Sequence, residues 1–86
     1  MNYARCIIVT EKDAVNEVFL VFGDTENSVT IKSEEVFRQA CIENDESFED
    51  EHTSDEIEDI VSGGDYEFGY GAITLVEPMI VNAEDY

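Results

Sequence analysis

Residues 43–59 carry ten acidic side chains and no Lys or Arg, and neither Lys nor Arg follows Arg38 anywhere in the chain. The 86 residues contain 22 Asp and Glu against 4 Lys and Arg, which gives a formal net charge of -18. A segment charged this densely has to stay in water, because burying unpaired carboxylates is very unfavourable. The core must therefore form from the rest of the chain, with a polyanionic surface beside it.

Three apolar runs are available for that core, at residues 6–9, 18–22 and 73–76. They are rich in β-branched and aromatic residues, which disordered acidic chains lack. With 43% apolar residues, the chain is long enough for a modest core. We predict a single compact acidic domain over residues 1–86, with an acidic loop and helix at 43–61.

The first half of the chain is predicted to be mainly β-structure. Residues 3–10 and 15–22 favour an antiparallel hairpin around the polar segment 11–14. A turn at 23–27 then leads to a short third strand at 28–32. In the second strand Val18, Leu20 and Phe22 alternate with Glu17, Phe19 and Val21, so part of both faces is expected to be covered.

Two helices are predicted next. Ser33 is an expected N-cap, and the apolar spacing that follows predicts a helix over 34–43. Thr53 and Glu56 have the spacing of a capping box, and Gly63 with Gly64 marks the end of a second short helix. In the acidic loop between them, Phe48 either anchors the loop to the body or stays exposed for a partner.

The C-terminal part is predicted to return to the sheet. Residues 67–76 suit a strand or a bent pair of strands with a bulge or twist at Gly69 and Gly71. An edge strand is expected at 79–81, after Pro78, and a frayed acidic end at 82–86. The sequence thus predicts an α+β fold, with a mainly antiparallel sheet of about five strands and two short helices on one face.

The sequence contains no residue pattern typical of a catalytic or cofactor-binding site. His52 is the only histidine, expected to be solvated in its acidic loop, and no Lys or Arg after Arg38 is available to hold an anionic substrate. Cys6 and Cys41 match no redox or zinc spacing, and we expect buried thiols, with a disulfide as the alternative. We predict no enzymatic activity and no cofactor.

Calcium is the inorganic alternative, because oxygen-rich loops are its usual sites. A loop that begins at Asp45 fails the pattern, since Asp50 stands where an EF-hand requires Gly. We therefore predict no specific metal site. The apolar runs are also too short to cross a bilayer and the N-terminus lacks the features of a signal peptide, so a cytoplasmic protein is expected.

The acids themselves are the predicted interaction surface. On a helix, carboxylates three and four residues apart stand about 5–6 Å from each other, close to the spacing of adjacent phosphates along one strand of DNA. Asp55, Glu58 and Asp59 would form one such row. The predicted partner-binding residues are Glu43, Asp45, Glu46, Glu49, Asp50, Glu51, Asp55, Glu56, Glu58 and Asp59.

In size, charge and this acid-rich segment the chain resembles the small acidic DNA-mimic inhibitors of bacteriophages. That class has no shared motif, so the resemblance assigns no role to any single residue. It implies binding to the DNA-binding surface of a basic host protein in the host cytoplasm, with no direct binding of nucleic acid or membrane. The histone-like nucleoid protein HU is the first choice, because it binds DNA without base specificity.

Halophilic adaptation and a different kind of basic partner are alternative causes of the acidity. Residues 1–38 hold seven acids and four Lys or Arg, whereas residues 39–86 hold fifteen acids and no Lys or Arg. This asymmetry argues against halophilic adaptation, which spreads acids over the whole surface. An adaptor or neutraliser of a basic partner, without DNA mimicry, is the main alternative. An exposed edge at 79–81 would also allow a homodimer.

Overall fold

The structure, a computed structural model, describes residues 2–81, so the expected frayed end at 82–86 lies outside the described residues. The helices and strands follow in the order β1 (Tyr3–Glu11), β2 (Ala14–Gly23), α1 (Glu26–Asn44), α2 (Phe48–Glu51), α3 (Ser54–Gly63), β3 (Asp65–Phe68), β4 (Gly71–Leu75) and β5 (Met79–Ile80). None of the helices within residues 2–81 has both the length and the hydrophobicity that crossing a bilayer requires.

The predicted N-terminal hairpin is confirmed. β1 and β2 pair antiparallel and are joined by Lys12 and Asp13, whose φ angles are 52° and 66°. A two-residue hairpin loop with positive φ at both positions matches the right-handed twist of the flanking strands. Neither residue is Gly, so both adopt a left-handed backbone conformation that side chains disfavour. The hydrogen bond from the Lys12 amide to the Tyr70 carbonyl, at 2.9 Å, helps to hold this turn.

The five strands form one antiparallel sheet, as predicted. Its order is β2-β1-β4-β3, and β5 pairs with the start of β1. β1 is the central strand and aligns Ile7 with Leu75 of β4. Residues 67–76 belong to a pair of strands rather than to one strand. The predicted bulge or twist at Gly69 and Gly71 is wrong, because β3 and β4 form a tight antiparallel hairpin, with Gly69 (φ 40°) in its turn and Gly71 opposite Phe68.

The third strand predicted at 28–32 is wrong, because these residues form the first turns of α1. The helix begins at an N-cap, Thr25, whose side chain accepts a hydrogen bond from the Ser28 amide at 3.0 Å. Although this segment is rich in β-branched residues, Val29 continues the buried stripe of α1. Strand propensity is a weak preference that such packing overrides. Val29 also lies against Gly23, where a Cβ would come within 2.8 Å of the Val29 amide.

Ser33 is consequently not an N-cap. It is fully buried in the middle of α1, donates to the Thr30 carbonyl at 3.1 Å and accepts from Arg5 Nη1 at 3.4 Å. The helix that contains it spans 19 residues instead of the ten expected. The predicted short second helix is confirmed as α3, with its capping box at Thr53 and its left-handed C-cap at Gly64. A single turn, α2, adds a third helix.

One face of the sheet packs against the helices and forms the core. Its fully or nearly buried residues are Ile7, Val9, Phe37, Ala40, Cys41, Phe48, Val61, Ile73 and Leu75. From β2, Phe19 and Val21 pack against this cluster. The opposite side of β2 is open, with Val18 and Leu20 exposed to 52% and 60%. The expectation that both faces of this strand are partly covered is therefore not met.

We predict that Thr25→Ala lowers the free energy of unfolding by about 1 kcal/mol, because it removes the side-chain cap of α1. Asn27→Ala, at an exposed position in the same first turn, should change it by less than about 0.5 kcal/mol. Urea unfolding followed by circular dichroism measures both. An equal effect of the two substitutions would argue against a helix that begins at Thr25.

Candidate functional site

The ten candidate carboxylates lie on one continuous segment, residues 43–59, which we call the acidic arm. It comprises the last turn of α1, all of α2 and the first half of α3. Nine of the ten side chains are exposed, and Asp45 is half-buried. The arm contains no Lys or Arg, and His52 is its one residue with a basic side chain. The fold thus presents a long run of negative charge on the helical side of the molecule.

Phe48 anchors the arm to the sheet, which confirms the first of its two predicted roles. Its side chain is fully buried, and its ring meets the Tyr66 ring edge-on, with centroids 4.9 Å apart. The His52 ring packs against both, 5.1 Å from Phe48 and 5.7 Å from Tyr66, and its Nδ1 lies 2.8 Å from the Phe48 carbonyl oxygen. His52 is half-buried, so the expectation of a solvated histidine is wrong.

Asp45 ties the same segment to β3 through polar contacts. Its carboxylate accepts a 2.5 Å hydrogen bond from the Tyr66 hydroxyl, and bonds from the Ser47 hydroxyl at 2.8 Å and the Ser47 amide at 3.1 Å. The hydrogen bonds from Tyr66 and Ser47 lower the pKa of Asp45. Burial, followed by the hydrogen bond and charge of Asp45, raises the pKa of Tyr66. A carboxylate held in this way is part of the scaffold.

Two further carboxylates of the arm have partners inside the molecule. Glu56 closes the capping box of α3, accepting from the Thr53 amide at 2.8 Å, and this hydrogen bond lowers the pKa of Glu56. Glu58 accepts from Arg38 Nη2 at 2.6 Å in an exposed ion pair. The predicted row of Asp55, Glu58 and Asp59 therefore contains one carboxylate that α1 already neutralises.

The other members of the arm are open to a partner. Glu43 makes one long hydrogen bond, from Gln39 at 3.4 Å. Within residues 2–81, no side-chain hydrogen bond or ion pair involves Glu46, Glu49, Asp50, Glu51, Asp55 or Asp59. These six exposed carboxylates, which we call the free carboxylates, are the strongest candidates for contact with a cation or a basic protein.

Sequence reasoning missed the residues that hold the arm in place. Tyr66 lies 21 residues from Asp45, and nothing in the local pattern around either residue indicates their contact. Arg38 of α1 reaches α3 and pairs with Glu58, 20 residues further along the chain. Only the packing of α1 beside α3 brings these side chains together.

The cysteines and the possible metal ligands do not form a reactive or metal-binding site within residues 2–81. Cys6 and Cys41 are both free thiols. Burial, with a contribution from the charge of Asp45, raises the pKa of Cys41 to about 12, which leaves it protonated and unreactive near neutral pH. Among residues 2–81, no three His, Cys, Asp or Glu side chains are placed to hold a metal ion together.

Comparison of the chain with models of protein families, with curated proteins and with solved structures gives no match. The geometry and charge of the acidic arm are therefore the observations that bear on function.

We predict that Phe48→Ala lowers the free energy of unfolding by about 3–5 kcal/mol, the usual cost of emptying a buried Phe site. Glu49→Ala changes the next residue, which is exposed, and should cost less than about 0.5 kcal/mol. Chemical denaturation of both variants provides the comparison. If Phe48→Ala were as stable as Glu49→Ala, the arm would not depend on this anchor.

We also predict a pH-dependent loss of stability for Asp45→Asn. Because the folded state lowers the pKa of Asp45 below its unfolded value of about 3.9, this carboxylate stabilises the fold fully above about pH 5. That contribution disappears as the pH falls through the folded pKa. The variant should therefore be less stable than the unmodified protein at pH 7, and the difference should shrink towards pH 2.

Asp50→Asn is the matched control, because it removes the same charge at an exposed position whose side chain has no hydrogen bond within residues 2–81. It should not destabilise the protein at pH 7, since it relieves repulsion between like charges. Urea unfolding at several pH values measures each profile. A difference between Asp45→Asn and the unmodified protein that stays constant from pH 7 to pH 2 would contradict the assignment.

Proposed function

We propose that this protein is a DNA mimic that binds the DNA-binding surface of a basic host protein and blocks the binding of DNA there. The observation that supports the proposal most directly is the set of six free carboxylates on the acidic arm, exposed and without partners in the described structure. A surface evolved to hold phosphates offers Lys and Arg side chains in rows, and these carboxylates would pair with such rows.

The way the arm is held favours this function over plain solubility. An acidic segment that serves only to solvate a protein needs no fixed shape, yet this one has a fully buried aromatic anchor and a hydrogen-bonded carboxylate. Holding the charges in position before binding lowers the entropy lost on association. A pre-ordered row of charges is what a mimic of a stiff duplex requires.

Helical geometry supplies a suitable spacing. Asp55 and Asp59 lie four residues apart on α3, where side chains stand about 5–6 Å from each other. Adjacent phosphates on one strand of DNA have a similar spacing. Binding would release counterions from both partners, so the affinity should fall steeply as salt is added.

HU is our first choice of partner. It holds the DNA backbone without reading bases, so a mimic that reproduces only charge and spacing would suffice. This function would be exercised in the cytoplasm of the host cell and requires neither catalysis nor a cofactor. Direct binding of nucleic acid or an anionic membrane is disfavoured by the net charge of -18.

The second candidate is an adaptor or neutraliser of a basic protein that leaves the DNA-binding surface of that protein free. The same exposed carboxylates support it, and competition with DNA separates the two. The protein would be immobilised and HU applied at about 0.1 M salt, where charge interactions are only partly screened. Release of HU by excess duplex DNA is expected for a mimic, whereas a ternary complex would favour the adaptor.

We predict that neutralising Glu49, Asp50, Asp55 and Asp59 together weakens binding to HU at least about fourfold. Each exposed ion pair contributes about 0.2–1 kcal/mol, and 1.4 kcal/mol corresponds to a factor of ten. The control variant neutralises four exposed acids outside the arm, Asp13, Glu17, Glu67 and Glu77. Both variants carry Asn or Gln at these positions and have the same net charge.

Titration calorimetry at two salt concentrations would measure both variants. The arm variant should also show a shallower dependence of affinity on salt, because fewer counterions are released. Equal losses in the two variants would mean that net charge, rather than the arm, attracts the partner.

A further inference from the structure

The sheet has a second face, turned away from the helices, that is largely apolar. The pairing of Ile8 with Val18 and Thr74 and of Cys6 with Leu20 defines this side, because directly paired residues share a face. We call it the outer face. Its members on the three adjacent strands β2, β1 and β4 are Val15, Val18, Leu20, Phe22, Ala4, Cys6, Ile8, Thr10, Ala72 and Thr74.

Exposure on this face is unusually high for apolar side chains. Val15 is 66% exposed, Leu20 60%, Val18 52% and Phe22 40%. Met79, opposite Ala4 on β5, extends the patch and is 49% exposed. A sheet with one face in water normally places polar residues there. Monomeric proteins rarely leave a contiguous apolar patch of this kind uncovered.

The distribution of charge indicates which kind of molecule can cover this face. No acidic or basic side chain lies among its members on β2, β1 and β4. Asp65 and Glu67 of the edge strand β3 border the patch on one side, as polar residues form the rim of most interfaces. A basic protein or a charged lipid headgroup would find nothing to pair with inside the patch. The acids of the arm lie on the helices, which cover the opposite face of the sheet.

We propose that the outer face packs against the outer face of a second copy of this chain, forming a two-fold sandwich of two sheets with the helices outside. The proposal does not depend on the function of the acidic arm. Two-fold symmetry brings the same apolar patch from each copy together, which makes the interface complementary to itself. Sheets packed in this way are about 10 Å apart, with side chains from both faces interleaved.

This arrangement is the one that a chain with a net charge of -18 tolerates best. With helices about 10 Å above each sheet and the two sheets about 10 Å apart, the acidic arms lie about 30 Å from each other. The Debye length is about 8 Å at physiological ionic strength, so repulsion between arms at this distance is largely screened.

The area of the face is sufficient for a weak dimer. Nine residues of β1 at about 3.3 Å each, across three strands about 4.8 Å apart, give a flat area of about 430 Å² per copy. The side chains stand above this flat area and Met79 extends it, so the surface buried by both copies together approaches the roughly 1,000 Å² that a specific interface requires. We therefore expect a dissociation constant in the micromolar range.

The edge strand that the sequence suggested for self-association is a poorer interface. β5 has two residues and pairs with β1 only at Tyr3 and Ala4. Such a short edge offers few backbone hydrogen bonds to a second chain. The outer face buries far more apolar surface, so we place self-association there.

Analytical ultracentrifugation across about 1–500 μM protein tests the proposal. The unmodified protein should shift with concentration from the 9.7 kDa of the single chain to twice that mass. Added salt should favour the dimer, because it screens the repulsion between copies and strengthens apolar contacts. A single chain at every concentration and salt level would overturn the proposal.

Leu20→Lys should weaken the dimer at least tenfold, because it places a charge among the apolar side chains of the outer face. Ile31→Lys on α1 is the matched control, since Ile31 is apolar and 59% exposed, almost the same as Leu20 at 60%. Circular dichroism would check that both variants fold, as substitutions at exposed positions should permit. Equal weakening by both substitutions would show that the outer face is not the interface.

Thiol cross-linking tests the position of the interface directly, without relying on a variant that loses binding. In a Cys6→Ser background, Leu20→Cys and Ile31→Cys each introduce one exposed thiol, while Cys41 stays buried. A short bis-maleimide should join two copies through position 20 and not through position 31. The reverse pattern, or cross-linking at neither position, would contradict the proposed packing.

Two other measurements test whether the outer face binds HU or a lipid surface instead of a second copy. Leu20→Lys should bind HU with unchanged affinity per chain, because the arm is untouched; loss of HU binding would assign the face to that partner and overturn the proposal. Flotation of the single chain with uncharged phosphatidylcholine vesicles would assign the face to a lipid surface instead. Failure of HU to bind the unmodified protein would affect the proposed function and leave the dimer intact.

Discussion

The burial of Phe48 is the interaction on which the rest of this structure depends. It lies inside the most acidic part of the chain, and its contact with Tyr66 holds that segment against the sheet. Without an apolar anchor, mutual repulsion among ten carboxylates would favour an extended and solvated loop. One aromatic side chain, assisted by the Asp45–Tyr66 hydrogen bond, thus converts a polyanionic segment into a surface of defined shape.

The sequence predicted those elements whose signals are local. The hairpin of β1 and β2 follows from two apolar runs around a polar turn, and α3 follows from the capping box at Thr53 and the stop at Gly64. The start of α1 was missed because residues 28–32 favour a strand by composition, and only the packing of Val29 against Gly23 and the core settles it.

The acidic arm was predictable as a segment but not as an arrangement. Composition alone located its ten acids, because they are concentrated in seventeen consecutive positions, 43–59. Which of them are free depends on contacts from distant elements, namely Arg38 with Glu58 and Tyr66 with Asp45. Such pairings follow from how α1, α3 and β3 pack together, and no spacing within the arm encodes them.

The fold separates two kinds of surface that would interfere with each other if they were mixed. Charge is concentrated on the helices and apolar area on the outer face of the sheet, so salt should act on them in opposite directions, weakening contacts of the arm and strengthening contacts of the outer face. A dimer built on the outer face would point its two arms away from each other. Such a dimer does not extend one row of charges but presents two separate rows, so each copy would engage its own basic partner and the complex would contain equal numbers of both proteins.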